Sequence, residues 1–157
     1  MATLMECGML PELLAAPRPA SWTAHRQEAE AHLEHQKLPT MKDEDWKYLD
    51  LKPLREMNLG PGKAADPDIA EHILPEARGT RLVFVNGHFA PHLSNTTALP
   101  PGVRMLRLSS ASECAASLGT VATPDKSDLF ANLNSARFTD GAYLFVPRQV
   151  RVEAPLH

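Results

Sequence analysis

The sequence predicts an α+β fold, in which a helical N-terminal region precedes a β-hairpin and several short α and β elements. Runs of helix-forming residues, separated by prolines, fill the first half of the chain. At Arg81 the pattern becomes extended, and residues 82–85 lead into Asn86-Gly87, the strongest short-range hairpin signal. The 157 residues include 14 prolines, nearly twice the usual share of about 5%. This composition favours short elements joined by stiff connections.

The composition also limits the classes of function. With 16 basic and 19 acidic residues, the formal net charge of -3 gives no electrostatic attraction for nucleic acid or an anionic membrane. Residues 1–14 carry no basic residue, so they lack the start of a signal peptide, and no stretch approaches the roughly 20 apolar residues of a membrane span. Cys7 and Cys114 form no Cys-x-x-Cys pair. We therefore expect a soluble cytoplasmic protein with neither nucleic acid nor a membrane as partner.

Three helices are predicted in the N-terminal region besides a possible short one within residues 3–16. The first long helix spans residues 22–37, with Ser21 as its N-cap and Pro39 after its end. One side carries a narrow stripe at helical spacing, formed by Trp22, Arg26, Ala29 and Leu33. A narrow stripe is typical of a helix on the surface, so its glutamates, including Glu30, are expected in water.

A short, acidic-led helix is expected next, capped by Thr40 and stopped by Pro53. It would present Trp46 and Leu49. Trp46 and Tyr48 fit an interface anchor and a core contact about equally well, because so short a helix needs something to pack against. The carboxylates that begin it are better explained as a negative first turn than as an acid/base pair.

The remaining elements follow in order. Residues 66–75 predict a two-turn helix after the Gly60-Pro61-Gly62 joint, with Asp66 as N-cap and Pro75 at its end. Residues 103–108 predict a strand, Ser110 to Glu113 a capping box that opens a helix ending near Gly119, and residues 128–137 a further helix. Residues 143–146 and 150–152 predict two short strands. We divide the chain into a helical region (1–78), a mixed region with the hairpin (79–140) and a terminal strand region (141–157).

Histidines are the main candidates for metal chemistry. His25, His32 and His35 share one side of the first long helix. A site would need further ligands from elsewhere, so a solvated face is preferred and a free-standing, His-dependent metal-binding module is the alternative. His88 and His92 flank the hairpin and are expected as polar surface positions. Nucleophile elbows, phosphate loops and dinucleotide fingerprints are absent from the sequence, so no catalytic or metal residue is assigned and cofactor binding is left open.

Three stretches carry a resemblance to a known family. They are LPTMKDEDWKYLDLKPL (38–54), RLVFVNGHFAPHLS (81–94) and NLNSARFTDGAYLFVPRQVRVEAPLH (132–157). In this order and spacing they resemble the N-terminal third of the SufB/SufD scaffold family, its SufD branch most closely. Two positions depart from the family pattern: Gln149 stands where glycine is common, which would strain a left-handed turn, and Leu49 replaces a usual threonine.

The resemblance implies a non-catalytic subunit of the SUF machine for iron-sulfur cluster assembly. In that family a helical region precedes a right-handed parallel β-helix, SufB pairs through the β-helices, and a C-terminal region binds the ATPase SufC. The complex receives sulfur from a desulfurase pathway; it carries the cluster and SufC uses ATP. The strands after residue 141 resemble the start of that β-helix, so we expect a truncated chain whose C-terminal strands self-associate. No family site residue falls within residues 1–157. The other alternative is an autonomous protein-interaction domain.

Overall fold

The computed structural model describes residues 22–57, 60–111, 113, 117–120 and 128–157. The chain divides into two compact units, the first formed by Met1–Pro61 and Leu118–Phe138, the second by Gly62–Ser117 and Thr139–His157. The predicted helix within residues 3–16, Ser21, Cys7, Cys114 and most of the helix predicted after Ser110 lie outside the described residues. The region boundaries at residues 78 and 140 stay predictions.

The regular elements are short, as the proline content predicts. The helices are α1 (Thr23–Leu33), α2 (Lys52–Glu56) and α3 (Leu129–Arg137). The strands are β1 (Phe84–Val85), β2 (His88–Phe89), β3 (Arg104–Arg107) and β4 (Ala142–Phe145). Single 3₁₀ turns occupy Glu44–Trp46, Ala70–His72, Pro75–Ala77 and Leu108–Ser110. This mixture of helices and small antiparallel sheets fits the predicted α+β class.

Helices α1 and α3 form the core of the first unit. The buried cluster consists of Ala29, Leu33, Leu38, Leu129 and Ala136. Ala29 and Ala136 are fully buried, and their small side chains suit close packing of the helices. The predicted stripe of α1 is therefore confirmed as its buried side. The helix predicted at residues 128–137 is confirmed as α3, and its N-cap residue Asp128 accepts the Ala131 N–H at 2.9 Å.

One glutamate of α1 departs from its predicted place in water. Glu30 is half-buried, and its Oε1 lies 3.1 Å from Nη2 of Arg137 in α3. The expectation that all glutamates of this helix are solvated is wrong for Glu30, because the partner basic residue is supplied by a distant segment of the chain.

In the segment after α1, Asp43 takes the capping role that the sequence predicted for Thr40. The Thr40 N–H and hydroxyl both donate to Oδ2 of Asp43, at 2.7 and 3.0 Å, so Asp43 is the acceptor and N-cap residue of a single 3₁₀ turn. Pro53 does not stop a helix but lies in the first turn of α2. Proline is tolerated there because its missing N–H would have no partner within the helix.

The two-turn helix predicted for residues 66–75 is wrong. The Asp68 carboxylate accepts the Ala70 N–H at 2.9 Å, but only the 3₁₀ turn Ala70–His72 follows. Pro75 begins the next turn and does not end a helix. Most of these residues are exposed, so no buried face offsets the cost of starting a helix.

The predicted hairpin is confirmed. Strands β1 and β2 pair antiparallel, with Phe84 opposite Phe89 and Val85 opposite His88. The two turn residues have positive φ, 52° at Asn86 and 82° at Gly87, as a type I′ turn requires.

The strand predicted at residues 143–146 is confirmed as β4. β4 pairs antiparallel with β3, with Arg104 opposite Phe145 and Met105 opposite Leu144. Residues 150–152, predicted as a strand, belong to none. These residues lack a hydrogen-bonded neighbour strand in the described part of the chain, and extended residues without one do not form a sheet.

The capping box predicted at Ser110 is also replaced. Ser110 ends a 3₁₀ turn, and the Glu113 carboxylate binds Arg104 instead, with Nη1 and Oε1 2.6 Å apart. A hydrogen bond between two charged groups, such as this one, is stronger than a neutral one.

Candidate protein-interaction site

The three histidines predicted on the first long helix do not gather into a metal site, and His35 lies beyond the end of α1 at Leu33. In the part of the chain that the structure describes, no three His, Cys, Asp or Glu side chains converge as ligands would. His25 instead packs on Gly119, where an added Cβ would lie 2.7 Å from the His25 Nδ1 atom. Its neighbours His32 and His35 lie half-buried and exposed, respectively. The metal-binding alternative gains no geometric support from these residues.

The two histidines beside the hairpin contact the segment of residues 62–66 that precedes it. Nε2 of His88 lies 2.8 Å from the Gly62 carbonyl oxygen, and Nε2 of His92 lies 2.7 Å from Oδ1 of Asp66. Asn86 Nδ2 donates to the Lys63 carbonyl oxygen at 2.8 Å. These contacts are structural, since they hold residues 62–66 against the hairpin.

The acidic cluster at the start of the Trp46 turn is also structural. The N–H of Thr40, and secondarily its hydroxyl, hold the pKa of Asp43 below its ordinary value of 3.8. Glu44 pairs with Lys47. A carboxylate that stays ionised at neutral pH in this way is poorly suited to general acid or base catalysis, which needs a pKa near the working pH.

The two aromatic residues of this turn lie in different surroundings, although the sequence fitted each of them equally well to a core contact or an interface anchor. The Trp46 ring packs against Phe130 of α3, with ring centroids 5.3 Å apart. Tyr48 is 92% exposed, and the ammonium of Lys47 lies 5.1 Å from its ring centroid. Trp46 is therefore half-buried against Phe130, whereas Tyr48 is available to a partner.

The exposed apolar residues Met41, Tyr48 and Leu49 form what we name the Tyr48 segment. Met41 is 56% and Leu49 53% exposed, so large apolar side chains stand in water within one loop. Leu49 and Trp46 also line an open groove with Asp45 and Asp128. Exposed aromatic and apolar residues bordered by polar ones are typical of protein-binding surfaces.

A second exposed surface lies on the β3–β4 sheet. Leu144, Phe145 and Val146 are each at least 40% exposed, and Leu106 is 36% exposed. The Arg104 guanidinium lies 5.0 Å from the ring centroid of Phe145 and covers part of it. The sequence pointed to these strands, but not to the antiparallel pairing that arranges them.

Arg26 is the residue whose importance sequence reasoning missed. It is 1% exposed, and its guanidinium donates to the carbonyl oxygens of Ala136, at 3.0 Å, and Phe138, at 2.7 Å. The rings of Trp22 and Phe138 stack 5.1 Å apart and both contact it. Its place in the stripe between Trp22 and Ala29 was the available signal, because a charged residue on a buried side needs partners.

A search of the described residues for a membrane-crossing helix finds no candidate of sufficient length and apolarity.

Comparison with known proteins identifies the family. The family model described as "SufBD protein N-terminal region" matches residues 11–157. A curated protein of Synechocystis sp. strain PCC 6803, named as an iron-sulfur cluster assembly SufBD family protein, is 36% identical over 140 residues. That match covers 84% of this chain and 30% of the relative, so the chain spans about a third of the relative's length. The extent of both matches shows that the chain belongs to the SufBD family, whose N-terminal region it represents.

Proposed function

We propose that this chain serves in iron-sulfur cluster assembly as part of a non-catalytic scaffold subunit of the SufD kind. The observation that carries the proposal is the family match over residues 11–157, together with the name of the curated relative. The cluster is the product assembled on the complex and not a resident cofactor of these residues. The cytoplasm is the proposed site of this work.

The proposed partners are SufB and the ATPase SufC. The Tyr48 segment gives the first unit a surface suited to such contacts, because Tyr48 is almost fully exposed beside Leu49 and Met41. Exposed tyrosines supply large contact area at a low cost in side-chain entropy. The same observation also fits the alternative, an autonomous protein-interaction domain with unrelated partners.

The right-handed parallel β-helix stays part of the proposal. It is supported by the backbone of His157, whose N–H donates to Thr80 at 2.9 Å and whose carbonyl oxygen accepts the Leu82 N–H at 2.8 Å. These two bonds lie on either side of Arg81, which is the pattern of neighbouring parallel strands. Thr80 also donates its hydroxyl to the carbonyl oxygen of Pro155.

Affinity purification from the source cells tests the proposal. A tagged copy of the protein is isolated and its companions are quantified by mass spectrometry. We expect SufB and SufC in amounts comparable to the tagged protein, with reduced amounts for Tyr48→Ser, which removes the exposed ring. A matched control is Tyr143→Ser, which alters a half-buried tyrosine of the other unit. Recovery of other proteins without SufB or SufC would favour the autonomous interaction domain and contradict the proposal.

A further inference from the structure

A groove of the first unit lies between residues 36–49 and the N-terminal end of α3. Its volume is about 720 Å³. This falls within the roughly 300–1,000 Å³ of sites that hold small ligands, so the groove has room for several side chains of a bound molecule. Its lining includes the buried Leu38 and Leu129, the half-buried Trp46 and the exposed Leu49. An occupant with an apolar side chain would therefore be stabilised there by burial.

The same groove carries an excess of negative charge. Asp43, Asp45 and Asp128 line it together with Lys37, so these four side chains leave an excess of two negative charges. All of residues 36–50 together with Asp128 contain five acidic and three basic side chains, which is the same excess. Among the described residues, the Asp45 carboxylate has no hydrogen-bond or ion-pair partner. A positively charged group in the groove would therefore meet a carboxylate that is available to it.

The arrangement of the carboxylates indicates what kind of cation fits the groove. In the described part of the chain, no three acidic, histidine or cysteine side chains stand close enough together to hold a metal ion. Carboxylates that lie apart along an apolar groove suit positive charges that are separated within one molecule, whereas a metal ion needs its ligands together. The N-terminal end of α3 would by itself favour an anion, but Asp128 already supplies one by accepting the Ala131 N–H. An anionic occupant is therefore disfavoured.

We propose that this groove binds a segment of a partner protein in which lysine or arginine side chains flank one or two apolar residues. The apolar residues pack against Trp46 and Leu49, and the basic side chains pair with Asp45 and Asp128. The apolar stems of lysine and arginine add to the buried area, and the charge pairs give specificity. The inference specifies the partner chemistry of the surface beside Tyr48, and it rests on the proposed function only in taking the occupant to be a protein.

Fluorescence anisotropy of a labelled peptide tests the groove in the complete protein. The probe is an end-blocked synthetic peptide with the core Arg-Leu-Phe-Lys, and a second peptide carries glutamate at both basic positions. We expect saturable binding of the basic peptide alone, and binding at least about fivefold weaker for Asp45→Lys. Glu28→Lys is the matched control, since it reverses an exposed carboxylate of α1 away from the groove, and it should bind as the unchanged protein does. Absent binding, equal binding of the acidic peptide, or equal weakening in both variants would overturn the inference.

A second variant tests the apolar contact and separates a peptide from a polyamine, which has the charges but no apolar side chain. Leu49→Ser keeps every charge, so it should weaken the basic peptide at least about threefold. Spermine should displace the peptide only at much higher concentration, and equally well from Leu49→Ser and the unchanged protein. Spermine as tight as the peptide, or a peptide affinity unaffected by Leu49→Ser, would contradict the proposal. The peptide is measured without SufB or SufC, so its failure would leave the assembly function standing.

Discussion

Arg26 in α1 donates a buried hydrogen bond from Nη1 to the carbonyl oxygen of Ala136, 110 residues further along the chain. With the second bond, from Nη2 to Phe138, it satisfies carbonyl groups at the C-terminal end of α3, which have no partner within the helix. A positive charge at this end of a helix is also favoured by the helix dipole. The Arg26 side chain therefore links α1 to the C-terminal end of α3.

Replacing Arg26 by methionine should therefore destabilise the protein strongly. The variant keeps an apolar stem but leaves two carbonyl oxygens without their donor, and each such group costs about 1–3 kcal/mol. We expect a loss of at least about 2 kcal/mol in the free energy of unfolding, measured by urea denaturation. Arg78→Met, at an exposed arginine, should change it by no more than about 0.5 kcal/mol. Similar midpoints for the two variants would mean that Arg26 does not stabilise α3.

Gln149 offers a stabilising change. Its φ is 64°, in the left-handed region, and the Val150 N–H donates to the Pro147 carbonyl oxygen across the turn. A residue with a Cβ is strained there by about 1–2 kcal/mol, so Gln149→Gly should raise stability by up to about 1 kcal/mol after the greater entropy of unfolded glycine is subtracted. Gln149→Ala keeps the Cβ and should bring no gain. Equal melting temperatures for the two variants would contradict the strain.

Gly87 offers the opposite change in the hairpin. Its φ is 82°, and an added Cβ would lie 3.3 Å from Oγ1 of Thr139, whose hydroxyl donates to the Gly87 carbonyl oxygen. Gly87→Val should cost about 1 kcal/mol or more in stability, measured by thermal or urea unfolding. Asn86→Gly tolerates the same turn but loses the hydrogen bond to the Lys63 carbonyl oxygen, so it should cost some stability, but less than Gly87→Val does. An unchanged midpoint for Gly87→Val would exclude the type I′ turn.

Asp43 predicts a pH dependence in the acid range. Its pKa in the folded protein lies below the ordinary 3.8, so the ionised carboxylate stabilises the folded state above that value. The stabilisation is lost as the pH falls through the lowered pKa. Carbon NMR of the Asp43 carboxyl group should give a midpoint below 3.8, and Thr40→Ala should raise it only in part, since the backbone N–H is the larger cause. Full return to 3.8 in Thr40→Ala would assign the effect to the hydroxyl alone.

Local signals explain what could be predicted from the sequence. The hairpin rests on two adjacent residues, Asn86 and Gly87, and α3 on a local helical pattern within residues 128–137, so both were found. The pairing of β3 with β4 depends on contacts between distant segments and left no local pattern to identify it. The family resemblance was confirmed by comparison, yet the antiparallel partner of residues 143–146 was missed for this reason.

The burial of side chains explains the remaining differences between the sequence-based predictions and the structure. The helix expected at residues 66–75 had a cap and a proline in place. Most of its side chains are exposed, so too little burial offsets the cost of ordering a helical backbone. For the candidate site, the sequence indicated that Trp46 and Tyr48 matter without separating them. In the structure Trp46 is half-buried against Phe130, whereas Tyr48 is exposed.

Incorporation of radioactive iron into iron-sulfur proteins of the source cells tests the proposed assembly function most directly. Cells depleted of this protein are compared with cells in which it is restored, and the iron bound by a purified cluster enzyme is counted per molecule of that enzyme. The proposal predicts that the iron content falls on depletion while the amount of enzyme polypeptide is maintained, and that restoring the protein reverses the fall. Unchanged iron content after complete depletion would contradict a role in cluster assembly.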